Sequence, residues 1–251
     1  EYLMIIHRLA SAIRHQKWSQ IITEILIVVI GIFLGLQVTN WAEDQALRGQ
    51  EQIYLNQLHE EMTDAMTIGQ RRLLTSTRAN NRLLEINTYF AQGVIQENFN
   101  NEYCNAIRGS SFMFNPTLPL TTLTEIVSSG QLAIFQDQKI RSMISNYMFR
   151  LELIASNNDR RRANVENLSV MYPELIKRGA LITTAPNRTL QRDQCDFSAM
   201  MKHQGFKNAL NSNALRVDGT TGSLQQAVKT LQEFHAHLDI LLNISHPEES
   251  S

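Results

Sequence analysis

The hydrophobic pattern divides the chain into one continuous apolar run and several longer, striped segments. From Ile25 to Leu36 there is no polar side chain, and Ile21–Val38 carries only Thr23, Glu24 and Gln37 as polar positions. A helix needs about 20 mostly apolar residues to cross a bilayer. Trp18 and Trp41 bracket the run about 35 Å apart at 1.5 Å per residue, the spacing of a membrane's two aromatic belts. Gln37 and Asn40 add polar anchors at its far edge. A secretory leader ends in a small-residue cleavage site, and "LQVTNWAED" offers none. An uncleaved transmembrane helix over 19–41 is therefore expected.

Its direction follows from the flanking basic residues. Arg8, Arg14 and Lys17 precede the run, whereas the first basic residue after it is Arg48. Positive charge stays on the cytoplasmic side, so the N-terminus is expected in the cytoplasm and residues 42–246 in the periplasm, with the span in a bacterial inner membrane. Leu3, Ile6, Leu9 and Ile13 fall at helical spacing, which predicts an interfacial amphipathic helix over 1–18; an ordinary helix packed on a partner has the same pattern. Residues 247–251 are expected to form a disordered tail.

Steps of four and three from Glu24 place Val28, Gly31 and Gly35 on one face of the span. Gly31 and Gly35 form a G-x-x-x-G pattern, which lets two helix backbones approach closely in lipid. An ionisable group at this depth normally faces protein or water. Glu24 therefore either caps or bonds a neighbouring helix, or lines a polar path in an oligomer.

Beyond Trp41 the periodicity stays helical. Leu58, Met62, Ala65, Leu83, Ile86 and Phe90 keep one stripe with no proline to interrupt it, so the span is expected to continue into this helix. The stretch 91–120 is polar and broken, and reads as loop. Thr122-Leu-Thr-Glu125 has the form of a capping box, Gly130 of a helix stop and Asp137 of an N-cap. From Ile140 a seam runs through Ile144, Tyr147, Leu151, Ile154, Asn158, Arg161, Val165, Leu168, Tyr172 and Leu175, the pattern of a coiled-coil or bundle face. A break near "SNNDRRR" is the alternative. In the last segment Leu210, Ala214, Val217, Thr221, Leu224, Val228, Leu231, His235, Leu238 and Leu242 hold one phase. Gly219 and Gly222 oppose a single helix at about 1 kcal/mol each, and a break between two helices is the expectation. The fold class is thus all-α, an antiparallel bundle of helices longer than the usual 11–12 residues or so.

Composition agrees with this. The chain has 251 residues, 43% of them hydrophobic, and only 11 Gly and 5 Pro, too few for a turn-rich sheet protein. A net charge of −1 gives no basic footprint for nucleic acid. The 2 cysteines, Cys104 and Cys195, fall in expected exterior loops, and an oxidising compartment favours a disulfide between them over separate thiols. His235 and His237 make a weak metal pair, because helix positions two apart face differently. His59 opens "HEEM", which lacks the second histidine of a zinc-protease helix. Arg160, Arg161 and Arg162 with Arg71 and Arg72 offer an anion site or a solvated surface. No phosphate loop or nucleophile elbow occurs. No catalytic, metal or cofactor site is expected.

Two blocks of the chain, in order, resemble a known family. "TEILIVVIGIFLGLQVTNWAED" is similar to the opening of a large family of bacterial membrane proteins classed only as a domain of unknown function. Its usual run reads GEI-x-LVVIGI-x-x-ALQ-x-NNW-x-E. Glu24, Ile25, Val28, Val29, Ile30, Gly31, Ile32, Leu36, Gln37, Asn40 and Trp41 fit; Thr23 stands where the family has Gly, and Gly35 where it has Ala. "LTEIVSSGQLAIFQDQKIRSMISNYM" is similar to the family's L-x-x-L-x-SSG-x-L-x-L-I-x-N-x-x-L-R-x-x-L-x-x-Y block. The resemblance implies membrane anchoring and a helical exterior domain. It implies no activity.

Together these features lead to the expectation of a non-enzymatic, single-span protein. Its partners are the lipid bilayer and either copies of itself or a larger membrane complex, which it serves as an accessory or scaffold subunit. A sensor or ion-conducting element built on Glu24 is the alternative.

Overall fold

The computed structural model describes residues 18–245, apart from Pro186, Asn187 and Arg192. The expected helix over 1–18 and the tail at 247–251 lie outside the described residues. The chain divides into two compact units, Glu1–Ile53 and Tyr54–Ser251. The first buried side chains among the described residues are Tyr54 and Leu55.

The protein is all-α. Helix α1 spans Trp18–Gln92, α2 Asn101–Gly109, α3 Thr121–Ser128, α4 Gln138–Arg162, α5 Leu168–Met171, α6 Phe197–Lys202 and α7 Gln204–Leu242, with a 3-10 turn at Gln131–Ile134. Two small antiparallel pairs interrupt them: β1 (Ile176–Lys177) with β4 (Gln194–Cys195), and β2 (Leu181–Ala185) with β3 (Arg188–Gln191).

In the second unit α1 and α7 run antiparallel in a fixed register. His59 faces Asp239, Thr63 faces His235, Ser76 faces Thr221 and Asn80 faces Asp218. Gly69 sits against the side chains of Val228 and Leu118. A Cβ there would lie 2.8 Å from Val228 Cγ2 and 2.9 Å from Leu118 Cδ1.

Two apolar cores flank this pair. One joins Leu58 and Met62 of α1 to Leu123, Ile126, Ile140, Ile144 and to Leu231 and Phe234 of α7. The other joins Leu83, Ile86 and Phe90 to Ile107, Leu168, Met200, Phe206 and Leu210. Between them the interface is polar: the Ser76 hydroxyl donates to Thr221 Oγ1 (2.6 Å) and Asn80 Nδ2 donates to Asp218 Oδ1 (2.8 Å).

Several expectations change. α7 is one helix, not two, with its expected stripe buried from Leu210 to Leu238 apart from half-buried Val217. Gly219 is tolerated mid-helix because it makes room for Arg161. A Cβ there would meet the guanidinium Nε at 3.0 Å, and Arg161 Nη1 donates to Ser223 Oγ at 3.0 Å.

The seam from Ile140 is broken. Ile140, Ile144, Tyr147 and Asn158 are buried and Leu151 and Ile154 half-buried, but α4 stops at Arg162. Val165 is half-buried in the connection, and Leu168 restarts as α5. The break is held by Asn213, fully buried on α7. Its Nδ2 donates to Glu166 O (2.7 Å) and its Oδ1 accepts from Glu166 N (3.1 Å). One side chain thus satisfies a backbone unit that the helix no longer pairs.

The segment 91–120 is not all loop. Asn100 caps α2 by accepting from Glu102 N, and Tyr103, Cys104, Ala106 and Ile107 are buried. The capping box at Thr122 does not form. α3 begins at Thr121, and Glu61 of α1 caps it instead, accepting from Thr121 N (2.6 Å) and Thr122 N (3.0 Å). Gly130 does follow the helix, at φ 71°.

Cys104 and Cys195 are bonded, with Cα atoms 5.6 Å apart across 91 residues. Both lie in regular elements, α2 and β4, rather than in loops. Beside them, buried Asp193 accepts from Gly179 N (3.0 Å) and lies 2.8 Å from Arg108 Nε, an ion pair by distance rather than an aligned hydrogen bond.

Gly69→Ala should destabilise the second unit by about 1–3 kcal/mol through overpacking, although alanine's helix propensity alone would stabilise by about 1 kcal/mol. Denaturant unfolding followed by circular dichroism reads the sign, and a gain in stability would contradict the close approach.

Candidate functional site

Three features carry chemistry. The first is the apolar segment of α1. Among the described residues this helix is the one long and apolar enough to cross a membrane; its best window has a mean hydropathy of 2.2 and is 0% buried. Glu24, Val28, Gly31, Gly35, Gln37, Asn40 and Trp41 are all exposed. Nothing lies within 4 Å of a Cβ built on Gly31 or Gly35. Trp18 opens the helix, and its side chain lies outside the described residues.

The second feature is a cavity of about 590 Å³ at the polar waist between the two cores. Leu83, Ala106, Phe112, Phe114 and Val217 give it apolar walls, and Arg71 and Arg72 lie on its border. Both arginines are exposed and form no ion pair among the described residues. Thr220, also on the wall, is 1% exposed, and its hydroxyl has no hydrogen-bond partner among the described residues. The arginines of α4 are not gathered here: Arg161 is committed to Ser223 and Arg160 to Asn157.

The third is a histidine–carboxylate cluster. His59 Nε2 lies 2.9 Å from Asp239 Oδ1, and His235 Nδ1 lies 3.2 Å from Asp239 Oδ2. The two imidazoles stack with centroids 4.4 Å apart and planes inclined at 30°. His235 Nε2 lies 3.0 Å from Thr63 Oγ1, which donates to His59 O at 2.9 Å. Sequence spacing set His235 beside His237, but the structure separates them. His237 turns to Asp137, with Nε2 3.2 Å from Oδ2. The signal in the sequence was the i, i+4 pair His235–Asp239. The third member, His59, lies on another helix and is reached only through the α1–α7 register.

Comparison with protein-family models, with curated proteins and with solved structures gives no match.

The Asp137 carboxyl, which His237 contacts, departs from its ordinary acid strength. Burial pushes its carboxyl up, but the amides of Ile140 and Lys139 and the His237 ring together outweigh burial and hold it below the ordinary carboxylate value. A lowered carboxylate stabilises the fold above its unfolded value of about 3.9 and loses that contribution as pH falls through the lower folded value. Asp137→Asn should therefore flatten the loss of stability below about pH 4, read as melting temperature against pH. An unchanged acid limb would contradict the assignment.

Proposed function

We propose that the chain is a non-enzymatic single-span membrane protein that works by assembly. The apolar segment of α1 crosses a bacterial inner membrane with its N-terminus in the cytoplasm and the Tyr54 unit in the periplasm. The span associates with a second copy of itself through the face of Glu24, Val28, Gly31 and Gly35, and the helical unit acts as the scaffold so displayed.

The observation that carries this reading is the open backbone surface at Gly31 and Gly35 on a segment whose apolar window is 0% buried. Lipid supplies no hydrophobic drive between helices, so close backbone packing and a polar contact are what such a face offers. The Cys104–Cys195 bond fits an oxidising compartment. The basic flank before the span and the resemblance to a family of membrane-anchored proteins point the same way.

Gly31→Leu with Gly35→Leu should weaken self-association by about 1 kcal/mol, roughly a fivefold shift in dimerisation constant, measured by energy transfer between labelled copies in bilayers. A protein that is monomeric at every concentration contradicts the proposal.

The arginine-bordered cavity favours a second reading, in which the same anchored domain takes up a single-chain anionic amphiphile, its tail among Phe112, Phe114 and Leu83 and its head on Arg71 and Arg72. A volume of about 590 Å³ is that of a small-molecule site. Arg71→Gln with Arg72→Gln should weaken binding of a fluorescent fatty acid about tenfold to the full chain in nanodiscs. Equal affinity in both forms counts against it.

A further inference from the structure

The histidine–carboxylate cluster brings three metal-ligating side chains together from two helices. Thr63 has one hydroxyl hydrogen, which can go to His59 O or to His235 Nε2. When it goes to His59 O, the contact between Thr63 Oγ1 and His235 Nε2 takes its hydrogen from the ring nitrogen. In a neutral imidazole His235 Nδ1 is then an acceptor, and it lies 3.2 Å from an oxygen of the Asp239 carboxylate. Two acceptors at that distance repel unless a positive charge lies between them. A proton on Nδ1 supplies it, and so does a metal ion.

We propose that His59, Asp239 and His235 form a site for a divalent transition metal, with zinc the best fit. The ligand atoms are His59 Nε2, His235 Nδ1 and the Asp239 carboxylate, and all lie within 4.8 Å of one another. Zinc bonds to nitrogen and oxygen of about 2.0–2.2 Å give tetrahedral edges of roughly 3.3 Å. The two contacts to Asp239, at 2.9 and 3.2 Å, are near that edge already.

That arrangement of hydrogens also suits a metal ligand. A metal-bound imidazole donates its second nitrogen to an outer partner, and the relay from His235 Nε2 through Thr63 Oγ1 to His59 O provides it. His59 and Asp239 retain 15% and 17% side-chain exposure, so a fourth position is open to water. Two imidazoles and one carboxylate, with no ring of oxygens, select a borderline metal over calcium or magnesium. Because the ligands come from both α1 and α7, the ion would clamp the two long helices at the end of their register.

The test uses the full chain without an affinity tag, in detergent micelles after chelator treatment. Isothermal titration with zinc chloride should give one ion per chain, calcium chloride should give no heat of binding, and zinc should raise the melting temperature. His59→Gln keeps a hydrogen-bond donor for Asp239 and so preserves the fold, yet should weaken zinc binding about a hundredfold. Thr63→Val, which leaves all ligands in place, should weaken it about tenfold. His237→Ala should leave it unchanged. The proposal is overturned if zinc does not bind at 100-fold excess, or if binding survives in His59→Gln combined with His235→Gln.

Discussion

Everything in the second unit depends on the antiparallel register of α1 and α7. These helices are joined side chain to side chain although far apart in sequence, and the missing side chain at Gly69 leaves room for Val228 of α7. With the register set, each step down one helix is matched by a step up the other. The two apolar cores, the polar waist between them, the cavity beside that waist and the histidine cluster then follow. The remaining elements close the cores. Glu61 begins α3, Asn213 holds the turn after α4, and the bond from Cys104 to Cys195 ties α2 to β4.

A polar band in the middle of a helix pair is costly unless its groups find one another. Here the Ser76 hydroxyl donates to Thr221, and Thr221 in turn donates to Val217 O. Such pairs are satisfied in only one register, whereas apolar side chains alone would tolerate slippage. Thr220 and the Oδ1 of Asn80 are the exceptions, both buried and without partners among the described residues. Thr220 is also where the cavity lies, so the incomplete part of the band and the open part of the fold coincide.

The sequence made the stripes legible and left their endings obscure. The constant phase from Leu210 to Leu242 is the buried face of α7, because period reports which side is inside whatever happens to the backbone. Whether Gly219 broke the helix depended on Arg161, a contact that no local pattern contains. The reverse happened after α4. Its stripe continued in phase to Leu168, but Asn213 offered the backbone of Glu166 other partners and the helix ended. α2 is hidden in the sequence because "NFNNEYCN" is polar on average, while its buried face is only Tyr103, Cys104, Ala106 and Ile107. The histidine cluster was half visible: His235 and Asp239 are one turn apart, and His59 needed the fold. The exposed small-residue face beside Glu24 is a local property of one helix and could be read directly.

The register is open to direct measurement. Ser76 Oγ and Thr221 Oγ1 are 2.6 Å apart, so the side chains of cysteines at these two positions would meet across the interface. In the Ser76→Cys, Thr221→Cys double variant the account predicts spontaneous formation of an intrachain disulfide, found by peptide mapping beside the intact Cys104–Cys195 bond. Pairing of 76 with 221 only between chains, or no pairing under oxidising conditions, would contradict it.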